Sequence, residues 1–368
     1  MMIVDKPLVS VIILNYNGKS FLPKCLSSVL QTNYANFEVV LVDNGSTDES
    51  LILVQKAFGS DQKLKIVRLP KNLGFGPGNN IGFKHAIGDY IVFLNNDTTV
   101  DSDWLAPLVD TLEKDQTVGL AQSVILAMDC NRMLTAGFIV SDFWISLNPI
   151  GYGQPWQDNH YPDVFDISFA SGTAMMTRRE LIQNVGLFDP KYFWFYDDTY
   201  FSFKTWISGK RVVTVSRSKI HHADHGTSGT WNIFVAMNDT KCMISLILDV
   251  YWSLGDLAEA LFFFIFNKMI VSLKEIAEHR KAVRFGGSVF AVCWVLRNLR
   301  HIWKNRLKCW SRARVDPVKL LSKMIRINLP ASLYLVPQPA KLLGSYLLNE
   351  TTKYRNNLVR TRVAKANG

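Results

Sequence analysis

The first 95 residues constrain the fold most tightly. Four apolar, β-branched runs (Leu8–Leu14, Glu38–Val42, Leu64–Arg68 and Tyr90–Leu94) alternate with stretches of helical spacing at Ser20–Leu30 and from about Thr47 to Phe58. Strands that are continuously apolar have both faces covered, so the pattern predicts an α/β fold built on a parallel sheet with helices on either side. In such a sheet a ligand lies beyond the carboxyl ends of the strands. Four polar segments rich in glycine or asparagine fall there: Asn15–Asn17, Asp43–Asp48, Asn72–Asn80 and Asn95–Asp97.

Each segment offers a chemistry and also a plainer structural use. VVLVDNGSTDES sets Asp43 and Asn44 at the tip of the second strand, where a carboxylate can accept hydrogen bonds from a nucleobase or ribose. Gly45 permits the tight turn and Ser46 or Thr47 can cap the next helix. The same residues would serve a simple strand–turn–helix junction, with Asp43 as the turn former. NLGFGPGNNIG at 72–82 is a glycine-rich loop entering a helix. Gly74 and its neighbours let backbone approach a ligand, and a helix N-terminus favours phosphate. The loop is neither a Walker loop nor a GxGxxG turn.

YIVFLNNDTTV places Asn95, Asn96 and Asp97 at the end of a buried strand. A carboxylate there can hold Mg2+ or Mn2+, which take few protein ligands together with diphosphate oxygens, although a polar strand terminus is the simpler use. YFWFYDDTYFSFK brings Asp197 and Asp198 beside aromatic residues at the start of a helix near Asp197–Ile207. Two adjacent acids can divide the labour of base and orienting group, and aromatic walls raise a carboxylate pKa and stack on sugar faces. An acidic first turn that complements the helix dipole is the plainer reading. IHHADHG holds His221, His222 and His225, three of seven histidines. No cysteine lies near and no finger spacing is present, so one histidine completing a metal–diphosphate site fits better than a zinc cluster.

The order and spacing of VSVIILNYNG, VDNGSTD, NLGFGPGNN, FLNNDT, SGTAMM, VGLFDPKYF, YDDTYFSFK and a downstream histidine loop resemble glycosyltransferase family 2 over roughly residues 7–232. Within it the likeness is to the rhamnosyltransferase-like branch. The resemblance implies a Rossmann-like GT-A domain, a UDP-, dTDP- or GDP-sugar donor and inversion at the anomeric carbon. By position it implies that Asn15, Asn17, Asp43, Asn72 and Asn80 line the nucleoside pocket and that Asn95-Asn96-Asp97 stands in place of the DxD motif. Asp97 would then be the metal ligand, Asp198 the catalytic base, and His222 a helper in binding metal and diphosphate. Asn95 departs from the first DxD aspartate. Tyr200 stands where the family has an acid, and Lys204 where it has an arginine, which keeps the charge and loses the bidentate fork.

Charge and hydropathy set the remainder apart. Residues 301–368 carry 14 Lys and Arg against Asp316 and Glu350, a net of +12, which leaves the first 300 residues at −2 within a chain of +10. Apolar stretches at 257–273 and 285–296 fall short of the ~20 uninterrupted residues that span a bilayer. WVLRNLRHIWKNRLKCW mixes Trp and Leu with Arg297, Arg300, Lys304 and Lys308. Basic amphipathic helices of this kind lie in an anionic membrane interface. A helix packed on the catalytic domain, or a spanning hairpin of 257–273 and 285–300, are the alternatives.

The expected organisation is a GT-A domain over 1–232, a membrane-associated helical region over 233–310, and a basic tail over 311–368. The start of the chain shows no secretory signal, and the five cysteines form no framework, so the expected place is the cytoplasmic side of the cell membrane. The expected partners are a nucleotide-diphosphate sugar, a lipid-linked saccharide acceptor and an anionic membrane surface. No nucleic-acid module is present. Competing readings are a sugar-phosphate nucleotidyltransferase, whose G-x-G-x-R loop is missing after the first strand, and a glycosyltransferase-like scaffold without activity.

Overall fold

The computed structural model describes residues 6–128, 132–140, 147–158, 161–223, 232–251, 253–279, 282–316 and 320. The chain divides into two compact units. Among the described residues, one takes those within 6–138 and 149–223, and the other takes those within 139–148 and 232–320.

The elements run β1 (Val9–Asn15), α1 (Leu22–Leu30), β2 (Phe37–Asp43), α2 (Ser50–Phe58), β3 (Leu64–Arg68), α3 (Phe75–His85), β4 (Tyr90–Asn95), β5 (Thr98–Val100) and α4 (Leu105–Lys114). They continue as β6 (Val118–Ala127), β7 (Met133–Thr135), β8 (Phe138–Val140), β9 (Leu147–Pro149), β10 (Val164–Asp166), β11 (Ala174–Arg178), α5 (Arg179–Val185), α6 (Asp197–Ile207) and β12 (Arg211–His222). Three helices follow: α7 (Ile233–Val250), α8 (Leu254–His279) and α9 (Val283–Trp310).

The main sheet has the order β10-β12-β6-β11-β4-β1-β2-β3. The four strands foreseen in the first 95 residues form one parallel block, β6 and β12 pair in parallel beyond it, and β11 runs antiparallel between β4 and β6. Register sets the polar edge: Asn15 lies opposite Asp43, and Leu14 opposite Asn95. Beneath that edge Val11, Ile13, Val39, Leu41 and Val92 are fully buried with α1 and α4 residues, which accounts for the unbroken apolar runs.

Three local expectations are corrected. The glycine-rich stretch is mostly helix, because α3 already starts at Phe75. Side chains at Gly78 and Gly82 would collide with Leu14 and Ile12 at 2.5 and 2.4 Å, so these glycines let α3 pack tightly on β1. Helix α2 begins at Ser50 without a cap from Ser46 or Thr47. Those residues bond to Asn15 and Asn17, and the Asp48 carboxylate accepts the Ser50 amide at 3.1 Å. His221 and His222 end strand β12 instead of lying in a loop, paired with Thr99 and Thr98 of β5. His225, Cys130 and Trp231 lie outside the described residues, as does most of the basic tail. None of the four described cysteines is in a disulfide.

In the second unit the Asn232 side chain caps α7 by accepting the Val235 amide at 3.0 Å. A side chain at Gly287 would meet Ala236 Cβ at 2.5 Å, so α9 approaches α7 at that glycine. Buried Arg306 donates to the carbonyls of Leu248 and Tyr251 at the end of α7, and Trp310 Nε1 donates to Asp249 O at 2.8 Å. An apolar cleft of about 270 Å³ opens among the three helices beside Ile244, Phe264, Met269, Phe285 and Val289. No described helix is long and apolar enough to cross a membrane. The spanning hairpin of 257–273 and 285–300 is thereby corrected: Glu259 and Lys268 interrupt α8, and Arg284 and Arg297 bracket the apolar part of α9.

Candidate active site

Asn15 is the hub of the polar edge. It is fully buried, and its amide nitrogen lies 3.1 Å from Asp43 Oδ1, 3.1 Å from Ser46 Oγ and 3.0 Å from Ser50 Oγ. Its Oδ1 accepts from Asn96 Nδ2 at 2.8 Å. One asparagine thus ties the ends of β1, β2 and β4 together. Asn17 takes a left-handed backbone (φ 52°), which asparagine tolerates, and its Oδ1 accepts the Thr47 amide at 2.8 Å. Asp43 also accepts the Ser46 amide at 3.3 Å, so its carboxylate stands at the strand tip with a turn wrapped around it.

The next segment is braced in the same way. Asn44 donates to Asn72 Oδ1 and to the Gly74 carbonyl at 2.9 and 3.1 Å, and it accepts the Leu73 amide at 2.9 Å. Gly74 has φ 95°, and a side chain on it would strike the Phe193 carbonyl at 2.2 Å. Asn80 clamps Phe188 from both sides, donating to its carbonyl at 2.9 Å and accepting its amide at 3.2 Å. The side chains of Asn15, Asn44 and Asn80 therefore spend hydrogen bonds on the protein itself.

Asp97 and His222 meet. Their Oδ1 and Nε2 atoms lie 3.0 Å apart, with the Asp97 side chain only 2% exposed. The contact follows from register, because β12 pairs with β5 and sets His222 opposite Thr98, the neighbour of Asp97. A carboxylate and an imidazole that converge in this way suit a divalent cation whose other ligands are diphosphate oxygens. Among the described residues no group of three or more His, Cys, Asp or Glu converges. His221 pairs with Asp101 instead, at 3.2 Å.

Asp197 and Asp198 open α6 and diverge. Asp197 is buried against the first turn of α3, where a side chain at Gly76 would meet its Oδ1 at 2.2 Å. Two helix N-termini favour a negative charge there. Asp198 turns the other way. Its Oδ1 accepts the Thr199 amide and hydroxyl at 2.7 and 3.2 Å, and its Oδ2 accepts the Gly172 amide at 2.8 Å. Oδ2 is thus the oxygen with acceptor capacity to spare. Desolvation raises the Asp198 pKa above the usual carboxylate value, and the amides of Gly172 and Thr199 oppose that shift. The residue after Gly172, Thr173, accepts the Asn95 amide at 3.0 Å, so this short segment links Asp198 to the end of β4.

Tyr200 and Lys204 each have a partner of their own. Tyr192, Tyr196 and Tyr200 stack as a ladder, with ring centroids 4.2 and 4.8 Å apart. Buried Lys204 lies 5.2 Å over the Tyr200 ring, and its Nζ donates to the carbonyls of Gly186 and Leu187 at 2.6 and 2.5 Å. A tyrosine in place of an acid and a lysine in place of an arginine therefore make a self-consistent pair.

Sequence reasoning gave no role to Ser171, Gly172 and Thr173, although SGTAMM was visible as a motif. Ser171 is held by Gln122, whose Oε1 accepts its amide at 2.6 Å from a strand far off in sequence, and no local pattern announces that contact.

Residues 10–186 match the family model described as Glycosyl transferase family 2. An uncharacterized glycosyltransferase of Haemophilus influenzae is 36% identical over 102 residues, 28% of this chain and 41% of that protein, so the chain spans less than half of this relative's length. The crystal structure of GalNAc-T7 with UDP, GalNAc and Mn2+ superposes with a TM-score of 0.54 at 21% identity, over 68% of this chain and 49% of that one. The mannosyltransferase PcManGT from Pyrobaculum calidifontis, in complex with GDP-Man and Mn2+, gives 0.52 at 16% identity over 88% of both chains. At these identities the two structures show the fold alone, and that fold is GT-A.

Proposed function

Residues 10–186 are a domain of glycosyl transferase family 2, and on that premise we propose that the chain transfers a sugar, with inversion, from a nucleotide-diphosphate sugar to a hydroxyl of a saccharide acceptor. One observation carries the proposal. The Asn95–Thr173 and Gly172–Asp198 hydrogen bonds join a carboxylate of raised pKa to the same sheet edge that bears Asn15, Asp43 and Asp97.

Asp43 accepts hydrogen bonds from the base or ribose, and the turn held by Asn44, Asn72 and Gly74 shapes that pocket. The Asn95 side-chain carboxamide reaches the ribose. Asp97 and His222 would hold Mg2+ or Mn2+, which, when bound, neutralises the departing diphosphate. Asp198 Oδ2 takes the proton from the acceptor hydroxyl as its oxygen attacks the anomeric carbon from the face opposite the diphosphate. A single in-line displacement with a single base inverts the centre and requires no covalent enzyme intermediate. Asp197 holds α3 and α6 in register beside the base.

The relatives in complex with UDP or with GDP-Man and Mn2+ support a nucleotide donor and a divalent cation. Thermal shift of the full chain with UDP, dTDP and GDP, each with and without Mn2+, tests the reading. A ligand at a hundred times its Kd stabilises the native state by about 2.7 kcal/mol. A shift with one nucleotide, enlarged by Mn2+, is the expected result, and no shift with any of them would overturn the proposal.

For the helical region, with domain limits at 1–232, 233–310 and 311–368, we infer peripheral attachment to the cytoplasmic face of an anionic membrane. Phe262, Phe266, Met269 and Leu273 on α8, and Phe290, Leu296, Trp303 and Leu307 on α9, are exposed. Helix α9 has no acidic residue, and Arg297, Arg300, Lys304 and Lys308 are exposed along it. A broad apolar surface with basic flanks suits an interface helix, and it suits an acceptor that is lipid-linked in the assembly of a surface glycan. Cosedimentation with vesicles of anionic and of zwitterionic lipid is the check, and a chain that pellets with neither contradicts the inference.

A further inference from the structure

The backbone leading into the two acids is strained. Among the described residues Asn17, Phe195 and Tyr196 are the non-glycine residues with positive φ, at 52°, 61° and 76°. Asparagine visits that region readily, but bulky aromatic residues do so only when their surroundings force them, and such strain marks functional segments.

The forcing contacts are identifiable. Tyr196 is 6% exposed, with its ring held between Tyr192 and Tyr200. On the other side the Phe193 carbonyl accepts the Phe75 amide at 2.9 Å, an approach that glycine at position 74 makes possible. Both ends of the turn are therefore fixed, and Trp194 and Phe195 lie between them. These two rings stack on one another with centroids 4.6 Å apart and planes 15° from parallel, and Phe195 stays 37% exposed. The fold thus holds a flat aromatic pair at the surface on a turn that aromatic residues disfavour. Phe195 precedes Asp198 by three residues, so their main chains are at most about 10 Å apart, roughly the length of two sugar rings.

We propose that Trp194 and Phe195 form the platform on which a pyranose ring of the acceptor stacks through its apolar C–H face, with the attacking hydroxyl directed to Asp198. The proposal rests on the reading of Asp198 as the base, and it fixes the acceptor class as a glycan in preference to a simple polyol or a protein hydroxyl. Apolar ring faces stack on aromatic side chains, and a rigid, preformed pair limits the entropy lost on binding.

Saturation-transfer NMR of the full chain with methyl glycosides of common hexoses and 6-deoxyhexoses, in the presence of UDP, dTDP or GDP, tests this without requiring turnover. At least one glycoside should receive saturation at its ring C–H protons. Trp194→Leu and Phe195→Leu should each weaken its binding about tenfold, and Phe195→Tyr should hold it within about twofold. Phe195→Gly relaxes the backbone, so it should melt no lower than the native chain yet bind the glycoside as weakly as the leucine variant. Where transfer is measurable, the leucine variants should raise KM for the glycoside more than they lower kcat.

Equal affinity in the leucine variants, or no saturation transfer to any glycoside, overturns the platform. So does loss of vesicle binding in those variants with saccharide affinity intact, which would make the pair a membrane contact. Glycoside binding that depends on both rings, with no transfer from any nucleotide sugar, would remove the transferase reading and leave the platform. Transfer indifferent to both rings would do the reverse.

Discussion

The Gly172 amide donates to Asp198 Oδ2 at 2.8 Å, and Thr199 occupies Oδ1 of the same carboxylate. Gly172 belongs to the segment that also bonds the end of β4, so the candidate base is linked to the polar edge of the sheet through the backbone of residues 172 and 173.

The most direct prediction concerns the carboxylate itself. Asp198→Asn removes the proton acceptor and preserves shape, so nucleotide-induced thermal shifts should match the native chain. General-base catalysis contributes about 10²–10⁴-fold, and kcat should fall by that order. Turnover near the native rate would exclude Asp198 as the base.

The pH dependence follows from the direction of the Asp198 shift. Desolvation is the largest cause and raises its pKa above the ordinary 3.8, while the Gly172 and Thr199 amides and the Thr199 hydroxyl pull it back. A base must be ionised, so kcat/KM should rise with pH through that raised value. Thr199→Val removes one opposing hydrogen bond and should move the acid limb still higher. The stability effect has the opposite sense: an acid whose folded pKa is raised destabilises the native state above that pKa, and the penalty is relieved as pH falls through it toward 3.8. A pH–rate profile of the Thr199→Val chain with an unmoved or lowered acid limb would contradict the assignment.

Asn15 should be a stability residue as well as a site residue. Asn15→Ala leaves buried partners at Asp43, Ser50 and Asn96 without their hydrogen bonds, at a cost of about 2–4 kcal/mol. Urea denaturation should show that loss, accompanied by weaker nucleotide binding, because the strand tips are no longer tied. Asn15 was legible as a polar strand end, since β1, β2 and β4 announce themselves by continuous apolar runs. Its partners were not, because they come from the ends of β2 and β4 and the start of α2, which only the fold brings together. The same reason hid Gly172, whose neighbour Ser171 is held by Gln122. The meeting of His222 with Asp97 came from the resemblance alone, because it depends on a three-residue strand too short to read from pattern. Glycines 78 and 82 misled in the other direction, since a need for close helix–strand packing writes the same letters as a phosphate loop.

The Asp97–His222 contact predicts how the cation and the nucleotide are linked. Asp97→Asn or His222→Gln should abolish the Mn2+-dependent part of the nucleotide-induced thermal shift and leave the metal-free part nearly intact, because the nucleoside pocket is built from other residues. A Mn2+ enhancement that survives in both variants would place the cation elsewhere.

Lys204 offers a test of whether its departure from the family pattern is structural. The residue is 6% exposed, and its ammonium caps the carbonyls of Gly186 and Leu187 and lies over the Tyr200 ring. Methionine matches its length and packing but donates nothing, so Lys204→Met strands two carbonyls. Hydrogen bonds to charged groups are worth about 1.5–3 kcal/mol each, partly shared where two acceptors face one donor, so a loss of about 2–3 kcal/mol is expected in urea denaturation. The same carbonyls lead directly into Phe188, which Asn80 holds independently, so the wall of the nucleotide pocket should survive. Nucleotide-induced shifts close to native, on a chain that melts earlier, would mark Lys204 as a brace for the tyrosine ladder. Loss of nucleotide binding with unchanged stability would instead give it a direct part in the site.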